Sequence, residues 1–252
     1  MALDQFPAPM DTESPKLGCW LKVPSTVTAE AVSLLGFDYI CIDMQHGLVS
    51  RHDLIPMLQA IHPHSPRTIV RVPTNDPSII GWCLDGGATG VVVPLVDSAA
   101  EVEAAVGACL YPPAGQRSTG PTRSSLIYGR SYVDNANSFV QCIPMIETVG
   151  ALESLDAILS VPGIDAIYVG PSDLSRNLGL GPGNHDGEPA FDDALVTIVK
   201  ACRRSGVVPG IHADAQLALK RLDQGFRMVT IAEDLDGMKD TLVSALDSIR
   251  NR

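Results

Sequence analysis

A single (β/α)8 barrel is the fold this sequence predicts, and three observations carry the prediction. Short apolar runs bounded by turn residues recur eight times, a segment with helical spacing lies beside each, and 252 residues is the length of one such barrel, typically about 250. The runs are continuous in Val, Ile, Leu and Cys rather than alternating, which is how parallel strands buried on both faces read. A doubly wound open sheet is the competing α/β arrangement, and the count of eight strand–helix units favours closure.

In chain order, "MALDQFPAPMDTESPK" reads as a flexible N-terminal arm over 1–16, with neither the basic start nor the apolar core of a signal peptide. The barrel domain then runs over 17–252. "CWLKV" (19–23) is the first strand, and "TVTAEAV" opens a helix over 27–35 that Gly36 follows. "DYICI" (38–42) precedes a helix over 52–61, and "RTIVRV" (67–72) precedes one over 77–86, where Gly86 suits a left-handed end. "GVVVPLV" (90–96) leads to a helix over 98–109, with Ser98 and Glu101 spaced as a capping box. Residues 111–139 are rich in Pro, Gly, Ser and Asn and too long for a plain connection, the mark of a functional or mobile loop. "QCIPMI" (141–146) and a helix over 150–160 come next, then "AIYVG" (166–170) and a helix over 190–204 before Gly206. "VVPGI" (207–211) pairs with 214–223 before Gly225, and "MVTIA" (228–232) with 235–249. No internal repeat exists beyond this alternation.

Composition narrows the function. The chain is 45% hydrophobic and 19% charged, the balance of a folded globule, and aliphatic packing dominates because only 5% is aromatic. A net charge of -11 without a Lys/Arg cluster repels nucleic-acid backbones and anionic membranes. No apolar run reaches the roughly 18 residues of a membrane span. The six cysteines lie apart, mostly in apolar runs and without a C-x-x-C pair, so they read as reduced core residues. A cytoplasmic protein acting on small molecules fits best.

Barrel active sites lie at the C-terminal ends of the strands. Here the second strand ends in Asp43 and His46, the third carries Arg71, Glu147 follows the fifth, "GPSDLS" with Asp173 follows the sixth, and His212 and Asp214 follow the seventh. Singly, each has an ordinary structural alternative: a turn cap for Asp43, an exposed imidazole for His46, a rim salt bridge for Arg71, a helix-start acid for Glu147 or Asp173. Jointly they occupy one topological position, which those alternatives do not explain.

Glu147 and Asp173 lie on adjacent strands, where two carboxylates need a cation. Hard oxygen donors without thiolates favour Mg2+ or Mn2+, with coordination positions left for substrate. An open cation of this kind is a Lewis acid. Backbone N–H groups of the turn around Gly170, Ser172 and Asp173 suit a carboxylate, and Arg71 adds a permanent positive charge where a substrate oxygen becomes negative. A 2-oxo acid is the inferred ligand, with His46, oriented by Asp43, moving the proton.

These stretches resemble one family. "FDYICIDMQHGLVS", "RVP", "DGGATGVVVPLVDSAAEVEAAV", "YPPAGQR", "MIETVGALESLDAI", "VPGIDAIYVGPSDLSRNLG" and "GIHA" are similar to the metal-dependent class II pyruvate aldolases of the HpcH/HpaI family, over about residues 17–245. The resemblance implies reversible cleavage of 4-hydroxy-2-oxo acids to pyruvate, or hydroxypyruvate, plus an aldehyde. It implies a divalent cation (Mg2+, Mn2+ or Co2+) on Glu147 and Asp173, Arg71 on the pyruvyl oxygen, His46 with Asp43 as the acid/base residue, and Ser172 and Asp173 backbone on the carboxylate. It also implies a homo-hexamer, a trimer of dimers with the last helix exchanged. Three departures stand out: Gln45 where many relatives have Glu, Met145 where many have Gln, and no Gly after Arg117. Two other readings are a coenzyme A thioester lyase like the citrate lyase β subunit, which the scarcity of Lys and Arg disfavours, and a catalytically silent keto-acid binder.

Overall fold

Eight parallel strands close on themselves in chain order: β1 (Lys16–Leu21), β2 (Tyr39–Asp43), β3 (Thr68–Arg71), β4 (Gly90–Val93), β5 (Gln141–Ile146), β6 (Ala166–Val169), β7 (Val208–His212) and β8 (Met228–Glu233), with β8 pairing back onto β1. The computed structural model describes residues 10–64 and 67–250. Every expected strand is present, within three residues of its expected bounds.

The helices are α1 (Thr26–Ser33), α2 (Arg51–Ile61), α3 (Pro77–Asp85), α4 (Ala99–Cys109), α5 (Thr122–Tyr128), α6 (Tyr132–Ala136), α7 (Val149–Glu153), α8 (Leu155–Leu159), α9 (Pro171–Asn177), α10 (Pro189–Ser205), α11 (Ala218–Gln224) and α12 (Asp234–Arg250). Side-chain caps start several of them. Ser25 accepts from the Thr28 N–H, Ser50 and Asp53 form a full capping box, Asp76 accepts from Ser78 and Ile79, and Ser98 accepts from Glu101.

Two apolar layers result. Trp20, Tyr39, Cys41, Ile69, Val92, Ile143, Met145, Tyr168 and Met228 fill the barrel, while a larger cluster lies between strands and helices. All six cysteines are buried and free. Of the expected arm, residues 1–9 lie outside the described residues; Met10 is buried with the barrel interior and Lys16 already belongs to β1.

Several boundaries differ from the sequence reading. The helix expected over 150–160 is broken at Ser154 into α7 and α8, and α11 starts at Ala218 rather than at 214. Gly86 is right-handed at φ -70°, and the left-handed residue is Gly87 at φ +105°. The 111–139 segment is held in place rather than loose: it carries α5 and α6, and Tyr111, Tyr128, Tyr132 and Phe139 stack together in its core. The Arg117 guanidinium lies 4.5 Å from the Tyr111 ring centroid and donates to Asp85 Oδ1 at 2.7 Å. No helix among the described residues is long and apolar enough to cross a membrane.

Candidate active site

Arg71 ends β3 directly across from Asp43 at the end of β2. Asp43 takes the guanidinium with both oxygens, Arg71 Nε donating to Oδ1 at 2.9 Å and Nη2 to Oδ2 at 2.7 Å, the geometry that makes Arg–carboxylate pairs both strong and directional. Arg71 also lies over the Trp20 ring, 4.6 Å from its centroid. Burial works to raise the Asp43 carboxyl, but Arg71 and two backbone N–H groups outweigh it and hold it below the usual carboxylate range.

Asp43 departs from the expectation drawn from the sequence. Asp43 does not orient the His46 imidazole, because its carboxylate is committed to Arg71. It reaches His46 through the backbone, Oδ1 accepting from the N–H groups of Gln45 at 3.0 Å and His46 at 3.3 Å. Asp43 therefore fixes the turn that presents His46, whose exposed side chain lines the pocket.

Glu147, one residue beyond β5, is 1% exposed. Its Oε1 accepts from the Leu95 N–H at 2.9 Å. Leu95 is the only non-glycine described with positive φ, +54°, so the chain holds a strained residue where it serves this carboxylate. Gly170 is the N-cap residue just before α9, and a Cβ there would lie 2.4 Å from Glu147 Oε2. Only glycine permits that approach. Burial, with repulsion from Asp173, pushes the Glu147 carboxyl up to about 7 despite the Leu95 donor and the Arg71 charge.

A cavity of about 190 Å3 at the strand ends brings these groups together: His46, Arg71, Glu147, Gly170, Ser172 and Asp173 line it, with Trp20, Lys22, Met145, Tyr168, Pro171, His212 and Glu233. A larger hollow of about 570 Å3 lies outside the barrel between α3, α4 and the 111–139 segment, and none of the strand-end residues face it. Asp214 is absent from the cavity lining and caps a turn, accepting from the Leu217 N–H at 2.8 Å. Among the described residues no cluster of three or more His, Cys, Asp or Glu side chains could hold a cation. The cavity does pair two carboxylates, one of them raised in pKa by burial and, less, by its neighbour, a donor set that fits a hard divalent cation whose remaining ligands come from water and substrate.

Residues 16–240 match the profile of the HpcH/HpaI aldolase/citrate lyase family. The chain belongs to that family. It is 38% identical to the 2-dehydro-3,6-dideoxy-6-sulfogluconate aldolase of Pseudomonas putida, over 95% of this chain and 94% of that protein. It is 40% identical to the hydroxypyruvate/pyruvate aldolase of Rhizorhabdus wittichii, over 88% of each. A crystal structure of an HpcH/HpaI aldolase/citrate lyase family protein from Burkholderia cenocepacia J2315 superposes with a TM-score of 0.88 at 29% identity, covering 94% of this chain and 95% of that one.

In this HpcH/HpaI chain the sequence reading overlooked Trp20, Lys22, Tyr168 and Glu233. Lys22 falls within the expected first strand, but β1 stops at Leu21, so Lys22 is a strand-end residue like the others. Glu233 directly succeeds "MVTIA" and ends β8. The signal that marks both is the one that marks Arg71 and Glu147: an ionisable side chain at the C-terminal end of an apolar run, here the first and the eighth.

Proposed function

We propose that the protein is a divalent-cation-dependent aldolase that reversibly cleaves 4-hydroxy-2-oxo acids to pyruvate, or hydroxypyruvate, and an aldehyde. The observation that carries this reading is the convergence of Arg71, His46 and the Glu147/Asp173 pair on one cavity at the strand ends. Family membership and the aldolase relatives support it.

Glu147 and Asp173 would hold Mg2+, Mn2+ or Co2+, which when bound supplies Lewis-acid polarisation of the 2-oxo group. Arg71, fixed by Asp43 and with Nη1 free of a partner among the described residues, binds the oxygen at C2 and stabilises the negative charge that grows there. Gly170, Ser172 and Asp173 orient the substrate carboxylate through the N–H groups of the first turn of α9, which have no intrahelical partner. In cleavage the C3–C4 bond breaks, its electron pair passes to C3 and the C2 oxygen as an enolate, and the C4 hydroxyl loses its proton as the aldehyde forms. His46 moves protons, taking that one directly or through water and returning one to C3 to give the methyl group.

We propose further that the protein works as a homo-hexamer, a trimer of dimers with α12 exchanged between neighbours. No residue of α12 is buried, and Met238, Leu242, Val243, Leu246 and Ile249 are exposed along it. A cytoplasmic setting belongs to the same proposal, resting on thiols spread through apolar elements. The aldolase reading is tested by supplying 4-hydroxy-2-oxoheptanedioate with Mn2+ and following pyruvate through lactate dehydrogenase and NADH. Pyruvate release that stops with a chelator supports it, and no release with any of the three cations overturns it.

A further inference from the structure

The second half of the cavity is built by three neighbouring strands. Lys22 follows β1, His212 ends β7 and Glu233 ends β8. Glu233 stands between the other two, its Oε2 accepting from Lys22 Nζ at 2.5 Å and its Oε1 from His212 Nε2 at 2.9 Å. Lys22 is pinned at its backbone as well, its N–H donating to Asp234 Oδ1 at 2.8 Å. The imidazole is committed on both edges, since Nδ1 faces the Tyr168 hydroxyl at 3.4 Å, and that hydroxyl continues to Thr230 Oγ1 at 2.5 Å. His212 is thus a brace, and the groups with hydrogen-bonding capacity to spare are Lys22, with two more ammonium N–H donors, and the Glu233 carboxylate.

A second observation points to an occupant. Trp20 is 1% exposed and lines the same cavity, yet its indole N–H has no hydrogen-bond partner among the described residues. A buried donor left unmet beside a cavity is one that an ordered water or a ligand oxygen entering that cavity can satisfy.

We propose that Lys22 and Glu233, braced by His212 and flanked by Trp20, form the acceptor subsite and select an aldehyde carrying hydroxyl groups next to the reacting carbonyl. The proposal rests on the aldolase reading and adds the class of the second substrate. A hydroxyl both donates and accepts, so it satisfies an ammonium and a carboxylate standing side by side. An apolar tail would leave both unused, and a carboxylate tail would meet Glu233. The pair is neutral as a unit, so charge alone attracts neither sign.

The test compares glyceraldehyde, butanal and succinic semialdehyde as acceptors with pyruvate and Mn2+, reading kcat/KM for adduct formation. Glyceraldehyde should exceed each of the others by about tenfold or more, the scale of one hydrogen bond to a charged group. Lys22→Met and the isosteric Glu233→Gln should each reduce the glyceraldehyde-to-butanal ratio by about tenfold. Preference for butanal or succinic semialdehyde, or a ratio unmoved in either variant, overturns the subsite. Deuterium exchange into the pyruvate methyl group by the unmodified protein is read alongside. Exchange with a flat acceptor profile removes the subsite alone, whereas no exchange removes the aldolase reading and the subsite with it.

Discussion

Asp43 and Arg71 are register partners on β2 and β3, joined by two charge-assisted hydrogen bonds of 2.9 and 2.7 Å inside the rim of the barrel. The pair fixes a permanent cation at the strand ends and, through the N–H groups of Gln45 and His46, the turn that presents the imidazole.

Asp43→Asn leaves Arg71 buried against an amide that can accept on only one side. Removing one partner of a buried ion pair costs about 3–5 kcal/mol, and the retained amide oxygen places this variant toward the lower end. Urea unfolding should show the midpoint falling at unchanged slope. An unaltered midpoint would mean the pair is not a stabilising element.

His46 is exposed and makes no side-chain hydrogen bond among the described residues, so its loss should leave stability nearly unchanged. His46→Ala should slow deuterium exchange into pyruvate by roughly 10² to 10⁴ while Mn2+ affinity, read by calorimetry, stays the same. Weakened Mn2+ binding would make His46 a ligand instead of a proton carrier.

Glu147 carries the pH dependence. Burial raises its folded-state value to about 7, above its unfolded value, so the carboxyl costs nothing below the unfolded value. The cost grows between that value and about 7 and is full above it. The metal-free protein should therefore lose Tm as pH rises from about 5 to 8, relative to Glu147→Gln. Mn2+ should restore Tm most at the alkaline end, where the ionised carboxylate is ready to bind. A Mn2+ stabilisation that is larger at pH 5 than at pH 8 would contradict this.

The apolar side of α12 makes assembly testable. Leu242→Asp together with Leu246→Asp should shift sedimentation from a hexamer toward smaller species. A hexamer that survives both charges would place the interface elsewhere.

The barrel was legible because each parallel strand, covered on both faces, must be apolar throughout, and because Ser98 with Glu101 marks a helix start in plain chemistry. His46, Arg71, Glu147 and Asp173 were legible for a related reason: ionisable residues stand at the ends of apolar runs, and the topology brings those ends together. Partners within the site were not legible. Nothing in the spacing of Asp43, His46 and Arg71 says which neighbour the carboxylate chooses; that depends on cross-strand register, which sets Asp43 opposite Arg71. Leu95 was hidden likewise, since its contribution is a backbone N–H in a left-handed residue. Gln45 keeps a buried side-chain oxygen without a partner among the described residues, and nothing within the chain explains it.

We propose that Arg71, His46 and the Glu147/Asp173 pair together stabilise and protonate an enolate, which proton NMR of pyruvate in D2O reads at the methyl group. With Mn2+, Mg2+ or Co2+ the methyl signal should decay through deuterium uptake, stop decaying with a chelator, and slow in Arg71→Ala by the 10²- to 10³-fold of a lost oxyanion donor, about 2.7–4 kcal/mol. A methyl signal that persists with all three cations, or one that decays as fast in Arg71→Ala, would rule out enolate formation by these residues.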